Sequence, residues 1–577
     1  MARWIHFLLA FAVPALASQQ KPLGVKDRPN IVFILTDDQD LHIKSLEYMP
    51  LVQKHLVDRG TSYNRHYCST AICCPSRVTL WTGKNAHNTN VTDVFPPYGG
   101  YPKFVDQGLN ENYLPVWLQE AGYSTFYAGK LFNAHSVDNY ADPFPKGFTS
   151  SDFLLDPYTY QYLNATFQRN REEPVSWSGH YSTDVLAVKA SGLLDEAVAL
   201  GKPFFLTVAT NAPHSNVPTF DPEDGLSGLP IFTAPIPAKR HENLFADVRV
   251  PRTENFNPDK HGGASWIKDL PQLNDTVLDY NDYFYRSRLR ALQAVDELVE
   301  GVVQQLDDLG ILDNTYIIYS TDNGFHISQH RLHPGKECGF EEDIHIPLIV
   351  RGPNVPEGET ADIVTAHTDL APTILKIAGQ NPRDDFDGTA IPLDREGIAQ
   401  ASLHRQEHVN VEFWGDAIPE GKFGYSVDEG KIIGLGLNNT YKGLRLIGDG
   451  YDLYYSVWCT NEHELFDLVN DPYQVRNIYP HESRSGAVTT ILGIPLSKII
   501  PRLDALLLVT KSCKAATCVE PWKVLHPQGD VGSLSDALSP AYDAFYEEIK
   551  TKVAYDRCEL GYIVESEGPQ SPPIFGQ

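Results

Sequence analysis

The sequence predicts a doubly wound α/β fold, a sheet sandwiched by helices, with a smaller C-terminal α+β domain built on an antiparallel sheet. Three observations carry this. Short apolar runs, the mark of strands buried on both faces, alternate with segments of helical period. Four of those runs end on polar residues able to do chemistry. After about residue 400 the pattern changes to shorter alternating runs, the mark of antiparallel strands.

The first apolar run is Asn30–Leu35 (NIVFIL), followed by Ser124–Ala128 (STFYA), Pro203–Thr210 (PFFLTVAT), Thr315–Ser320 (TYIIYS) and Ile346–Val350 (IPLIV). These five read as strands of a parallel sheet. Between the third and fourth, Tyr285–Leu309 places Leu289, Leu292, Val295, Leu298, Val302 and Leu306 at a period of three to four, a helix stopped by Gly310. Asp369–Ala378 reads as another, ending at Gly379. Beyond residue 400, His408–Phe413, Lys431–Leu437, Gly443–Ile447 and Tyr451–Trp458 read as antiparallel strands, and helices are predicted near Ile494–Thr510 and Tyr542–Tyr555. Pro501 either kinks the first of these or marks its start. The boundaries that follow are 27–400 for the main domain, 401–560 for the C-terminal domain and 568–577 for a Pro-rich, disordered tail.

In open α/β sheets ligands bind beyond the carboxyl ends of the strands. The first run leads into Thr36-Asp37-Asp38, the second into Gly129-Lys130, the third into Asn211-Ala212-Pro213-His214 and the fourth into Thr321-Asp322-Asn323. Asp37, Asp38, Lys130, His214, Asp322 and Asn323 are therefore expected at one edge. An Asp pair at a strand end also suits capping or a turn. A second pair, Asp322-Asn323, ending another strand favours a metal, and an all-oxygen set selects Ca²⁺ or Mg²⁺ over zinc.

The stretch Cys73-Cys74-Pro75-Ser76-Arg77, with Thr82-Gly83 downstream, resembles the signature of the formylglycine-dependent sulfatases. His345–Gly352, His367–Thr373 and Glu464-Leu465-Phe466-Asp467-Leu468 with Asp471-Pro472 also look like segments of that family, so the resemblance covers most of the chain. It implies an alkaline-phosphatase-like doubly wound mixed sheet. It implies that Cys73, two positions before Pro75, is oxidised to formylglycine by a formylglycine-generating enzyme, and that a hydroxyl of the hydrated aldehyde attacks the sulfur of a sulfate ester. Asp37, Asp38, Asp322, Asn323 and the modified Cys73 would hold one divalent cation, Ca²⁺ or Mg²⁺. Arg77 would hold the hydrated aldehyde, and Lys130, His214 and Lys336 would surround the sulfate. The chain departs from the family pattern at Lys130-Leu131-Phe132-Asn133, where a histidine two residues after the lysine is missing; Asn133 or His135 are the candidate replacements. His326, three residues after Asn323, is a further candidate for substrate binding. The paired cysteines are similar to those of N-acetylglucosamine-6-sulfatases and of secreted fungal arylsulfatases, so the substrate is a small-molecule or carbohydrate sulfate ester.

At 577 residues the chain exceeds one ordinary core. Its net charge of −27 argues against a nucleic-acid partner, which needs clustered Lys and Arg. Arg3, the apolar run Phe7–Val13 and Ala15-Leu16-Ala17 read as a secretory signal over 1–17, with an apolar run too short to span a bilayer. Sequons at Asn90, Asn164, Asn274 and Asn438 and the eight cysteines agree with export. Cys513 and Cys518 are close enough to pair; with Cys73 consumed, at least one of the others stays unpaired.

Three readings compete. The first is a sulfatase, arylsulfatase-like or N-acetylglucosamine-6-sulfatase-like. The second is a phosphohydrolase of the alkaline phosphatase superfamily, which wants a Ser or Thr nucleophile and His-rich ligation of two metals, against Cys73 and the oxygen-only set. The third is a catalytically dead secreted binding protein, expected to have lost several of these polar positions.

Overall fold

The computed structural model describes residues 28–218, 231–260, 262–428, 431–480 and 490–571. The leader read over 1–17 lies outside them.

Ten strands form the main sheet: β1 (Asn30–Thr36), β2 (Thr61–Tyr67), β3 (Ser124–Lys130), β4 (Ser150–Leu154), β5 (Thr166–Arg169), β6 (Val175–Ser176), β7 (Phe204–Ala209), β8 (Thr315–Thr321), β9 (Leu348–Arg351) and β10 (Glu359–Ala366). Their order is β10-β2-β9-β8-β1-β7-β3-β4-β5-β6. The stretch β8-β1-β7-β3-β4 is parallel, with Ile34 opposite Val208 on one side and Tyr319 on the other.

β1 shows why the sheet is sandwiched. Ile31, Phe33 and Leu35 enter one core with Trp81, Leu370 and Ile374. Val32 and Ile34 enter the other with Leu292, Val295 and Val299. A strand pays for no polar face when helices cover both sides, so its sequence is apolar throughout. One layer contains α1 (Cys73–Thr82); the other contains α2 (Ser182–Ala199) and α3 (Asp275–Asp308). α3 begins ten residues before the predicted start, because the Asn274 side chain accepts from the Val277 amide at 3.1 Å and caps it there.

The strand predicted at Ile346–Val350 exists, as β9, but runs antiparallel to β8 and to β2. A parallel return needs a crossover, normally a helix. The chain from Asp322 to Pro347 holds only the single turn Glu341–Ile344 and carries site residues instead, so it re-enters the sheet reversed.

The C-terminal sheet is antiparallel as expected, in the order His408–Phe413, Tyr441–Gly448, Tyr451–Trp458, His463–Asp467. Lys431–Leu437 is not part of it: Lys431–Ile433 pairs with Ser426–Asp428 in a separate hairpin. The helix Leu496–Thr510 runs through Pro501 and sets Leu503, Leu506 and Leu507 among Leu444, Leu446 and Leu453. The last predicted helix shrinks to Asp543–Glu548. Beyond it, the amides of Val553 and Tyr555 are taken by Asp504 (3.3 Å) and Asn461 (2.8 Å), which holds the backbone extended. Of the tail expected to be disordered over 568–577, residues 572–577 lie outside the described residues, and Pro569 is held by Lys511 Nζ, at the end of the helix Leu496–Thr510, which donates to its carbonyl at 3.2 Å. Disulfides join Cys513 to Cys518, as the spacing suggested, and Cys459 to Cys558; Cys68, Cys73, Cys74 and Cys338 are buried thiols. Among the described residues no helix is long and apolar enough to cross a membrane.

Candidate functional site

Cys73 is the first residue of α1, a helix in which every residue is buried. Pro75 sits in the first turn, where amides lack helical partners and a missing N–H costs nothing. The Ser76 hydroxyl donates to the Asp322 carbonyl at 2.5 Å and accepts from His367 Nδ1 at 2.9 Å. One turn beyond Cys73, Arg77 Nε donates to Asp322 Oδ2 at 2.8 Å and Nη1 to the Lys130 carbonyl at 2.6 Å. Gly83 ends the helix with φ +67°. The signature thus fastens the helix N-terminus, its positive pole, against the ends of β3 and β8.

The sheet edge delivers the rest. Cys73 Sγ lies 3.6 Å from Asp37 Oδ1 and 3.8 Å from Asp38 Oδ1. Lys130, the last residue of β3, places Nζ 2.7 Å from Asp37 Oδ2. Lys336 Nζ is 2.5 Å from Asp38 Oδ2, and His214 Nε2 is 3.6 Å from the same oxygen. Asp38 holds a left-handed backbone, φ 64°, and its amide donates to Asp322 Oδ1 at 2.9 Å. Asn323 Nδ2 donates to Asp38 Oδ1 at 2.8 Å, while its Oδ1 is buried without a hydrogen bond. Asp37, Asp38, Lys130, His214, Asp322 and Asn323, the six residues expected at the strand ends, therefore gather near Cys73, together with Arg77 and Lys336, which the resemblance added.

Burial and then the facing Asp322 push the Asp37 carboxyl up, against the pull of Lys130 and Arg77. Burial acts the same way on Asp322, but Arg77 and Lys130 outweigh it and hold that carboxyl well below its usual range. Burial, helped by Lys336, keeps the His214 imidazole neutral. Its Nδ1–H donates to the Ser215 carbonyl at 2.8 Å, which aims Nε2 at Asp38. Burial also raises the Cys73 thiol well above its ordinary value, Lys130 and Lys336 notwithstanding. An unmodified Cys73 is thus a protonated thiol, not a reactive thiolate.

The residues present suit a hard divalent cation. Asp37, Asp38, Asp322 and Asn323 offer only oxygen, and Asn323 Oδ1 is a buried acceptor with no donor.

Other candidates fall outside this cluster. His326 Nδ1 turns to Asp343 at 2.7 Å, and the ring lines a small neighbouring pocket. His135 is clamped between Tyr101 (4.6 Å) and Phe153 (5.2 Å), its nitrogens without partners, and does not line the cavity above Cys73. Asn133 does line it and donates to the Tyr160 hydroxyl at 2.7 Å.

Sequence reasoning missed Tyr160, Arg288 and Glu420. Tyr160 stacks on His214 at 3.9 Å and lies under Lys130 Nζ at 4.7 Å. Arg288, from α3, donates to the carbonyls of Asp38 (2.5 Å) and Pro213 (3.3 Å), locking two site loops together. A charged residue beside Leu289 on the core side of a predicted helix was the available signal. Glu420 lies 3.6 Å from Lys336 and accepts from Ser215, although it belongs to the segment read as a separate domain. The cavity above Cys73 has a volume of about 580 Å³, and Phe413, Trp414, Glu420 and Leu560 form its C-terminal wall.

The sulfatase family model matches residues 29–380. The chain is 38% identical to an arylsulfatase of Volvox carteri, covering 94% of this chain and 82% of that one. It is 32% identical to the human N-acetylglucosamine-6-sulfatase, over 86% of each. A solved structure described as in complex with its substrate, D-glucosamine-2-N,6-O-disulfate, superposes with a TM-score of 0.59, covering 78% of this chain and 93% of that one, at 23% identity, a likeness of fold. With the signature on a buried helix and the strand ends gathered around it, the match over most of the chain places this protein in the sulfatase family.

Proposed function

We propose that this protein is a secreted hydrolase of sulfate monoesters that works through formylglycine made from Cys73 and one Ca²⁺, or Mg²⁺, held by Asp37, Asp38, Asp322 and Asn323. The observation that carries this is the seat of Cys73: at the helix N-terminus, within 4 Å of two carboxylates, at the floor of a cavity. Burial disfavours the thiolate there, which fits a side chain converted before it acts. A geminal diol would suit: one hydroxyl would attack sulfur as the alcohol departs, and deprotonation of the other would expel sulfate and restore the aldehyde. When bound, the cation would draw electron density from sulfur through a sulfate oxygen.

The remaining roles follow from placement. Arg77, pinned to Asp322 and to the Lys130 carbonyl, orients the hydrate. Lys130 and His214, levelled on Tyr160, face the sulfate. Asn133, on the cavity wall beside Tyr160, stands in for the histidine missing two residues after Lys130. Lys336, between Asp38 and Glu420, meets the departing oxygen. Negative charge grows on that oxygen only as the bond breaks, so a cation aimed there favours the transition state over the ground state.

Cys73 is 2% exposed in the folded chain. A formylglycine-generating enzyme would have to act before α1 packs. Export fits the two disulfides and the exposed sequon residues Asn274 and Asn438.

The test compares 4-nitrophenyl sulfate with 4-nitrophenyl phosphate under identical conditions. Sulfate turnover far above phosphate turnover supports the proposal; the reverse order supports the phosphohydrolase reading, and no turnover of either supports a dead site.

A further inference from the structure

The cavity above Cys73 is lopsided in charge. Asp93, Asp138, Asp156, Asp416, Glu337 and Glu420 line it, whereas Lys336 is the only Lys or Arg among its described lining residues. Lys336 is already engaged by Asp38 (2.5 Å) and Glu420 (3.6 Å). Lys130 and Arg77 lie beneath the floor, paired with Asp37 and Asp322. His214 is neutral. Among the described lining residues no Lys or Arg therefore remains unengaged to receive a second anionic group on the substrate.

The carboxylates are not equal. Glu337 and Glu420 are buried and held toward the neutral form, the first accepting from the Ile418 amide (2.6 Å), the second beside Lys336. Asp156 accepts from the Ala134 amide at 2.7 Å and is likewise raised by burial. Asp138, by contrast, is exposed, and Asp416 is half-buried with its Oδ1 bound by the Asn438 amide at 2.8 Å. These two bear on anything that projects away from the scissile sulfate. Between the acidic groups the wall is apolar: Phe95, Phe232, Trp414 and Leu560.

We infer that the site takes sulfate esters with a single negative charge and an apolar leaving part, and rejects esters that carry a second anionic group. This rests on the sulfate-ester reading above. Selection comes from both arms: an apolar surface that gains by burying the aglycone, and carboxylates that penalise a second anion in a cavity where field lines are concentrated. Multiply sulfated or uronate-bearing saccharides would be poor substrates, and aryl or neutral monosulfated esters good ones.

A matched pair tests it: 2-naphthyl sulfate against the same ester with a 6-sulfonate. The expected kcat/KM ratio favours the singly charged ester by roughly tenfold or more, and shrinks as salt screens the repulsion. Asp138→Asn, at an exposed position, should narrow the ratio by raising turnover of the sulfonated ester alone; Asp416→Asn is the second variant. Leu560→Ala, at a side chain 54% exposed, should raise KM for 2-naphthyl sulfate with kcat retained. Equal kcat/KM for the two esters, or preference for the sulfonated one, overturns the inference while leaving the sulfatase reading intact. Failure to hydrolyse either ester or 4-nitrophenyl sulfate removes the sulfatase reading itself.

Discussion

Arg77 Nε donates to Asp322 Oδ2 at 2.8 Å, with both side chains wholly out of solvent. The same guanidinium reaches Asp37 Oδ2 at 3.5 Å, so it separates two carboxylates that would otherwise face each other. Breaking a buried pair from one side costs about 3–5 kcal/mol, because the remaining charge has no compensation. Arg77→Ala is therefore expected to lower both thermal stability and activity. Arg77→Lys should keep the charge, lose the fork that spans Asp322 and the Lys130 carbonyl, and fall between the two. Denaturant melts of the three proteins check the order; an Arg77→Ala melt equal to wild type would show that the pair does not hold the helix.

Cys73 should be an aldehyde in active protein and Cys74 an unmodified thiol. Peptide mass spectrometry reads this directly, and an intact Cys73 in fully active enzyme sinks the mechanism. Cys73→Ala removes the nucleophile and should cut kcat by on the order of 10⁴-fold or more, as loss of a nucleophile does elsewhere. Because Cys73 is 2% exposed, folded but unconverted protein should stay inactive when the converting enzyme is added, and gain activity only if first unfolded.

The strands and the metal-type residues were legible in the sequence because their signals are local. A strand buried on both faces must be apolar at every position, as Ile31 to Leu35 are, and polar residues that follow such strands have only the sheet edge to occupy. What escaped is long-range. β2 carries Asn64 and Arg65 in its middle, both reaching Asp362 at its neighbour β10, so it shows no apolar run. The direction of β9 depends on what the preceding loop is used for. Tyr160 and Glu420 act across the cavity on His214 and Lys336, and no spacing rule links residues that meet only in the folded chain.

Asn323 offers a clean test of the cation. Its Oδ1 has no hydrogen-bond partner, and it carries no charge whose loss would leave a buried lysine or arginine unpaired. A bound ion at a hundredfold excess over its Kd stabilises by about 2.7 kcal/mol. Chelation should therefore lower the Tm of wild type, with recovery on adding Ca²⁺, and Asn323→Ala should shift the Ca²⁺ titration of Tm to higher concentration. A Tm insensitive to chelator and Ca²⁺ in protein proven metal-free at the start, or stoichiometric binding of two zinc ions, rejects the assignment.

Glu412 sets a pH dependence of stability away from the site. Burial alone would raise its carboxyl, but His87 and Lys442, each 2.8 Å away, outweigh it and hold the group well below its ordinary 4.5. A depressed carboxylate contributes stability that is fully present above the unfolded value and is lost as pH falls below it. Glu412→Gln should accordingly be less stable than wild type at pH 7 by about 3–5 kcal/mol, since the buried Lys442 loses its 2.8 Å partner and keeps only Glu567 at 3.9 Å. The gap should close progressively below pH 4.5. Urea midpoints at pH 7, 5 and 3.5 measure it; a gap that widens toward acid would contradict the sign.

Lys336 is placed to act on the departing oxygen, and its contribution should depend on how much help that oxygen needs. A nitrophenolate leaves readily as an anion; an alkoxide does not, and requires a proton or a facing cation in the transition state. Lys336→Ala should therefore reduce turnover of an alkyl or sugar sulfate by about 10²–10³-fold, and of 4-nitrophenyl sulfate by much less. Arg77→Lys, which disturbs the nucleophile side instead, should reduce both substrates by similar factors, so the two variants separate leaving-group assistance from general damage to the site. Lys336 also neutralises Asp38 at 2.5 Å, and a loss that came only from unpairing that carboxylate would fall equally on both esters. Equal losses for Lys336→Ala would thus assign the lysine to holding Asp38 and leave the departing oxygen to another group, His214 being the nearest alternative at 3.6 Å from the same carboxylate.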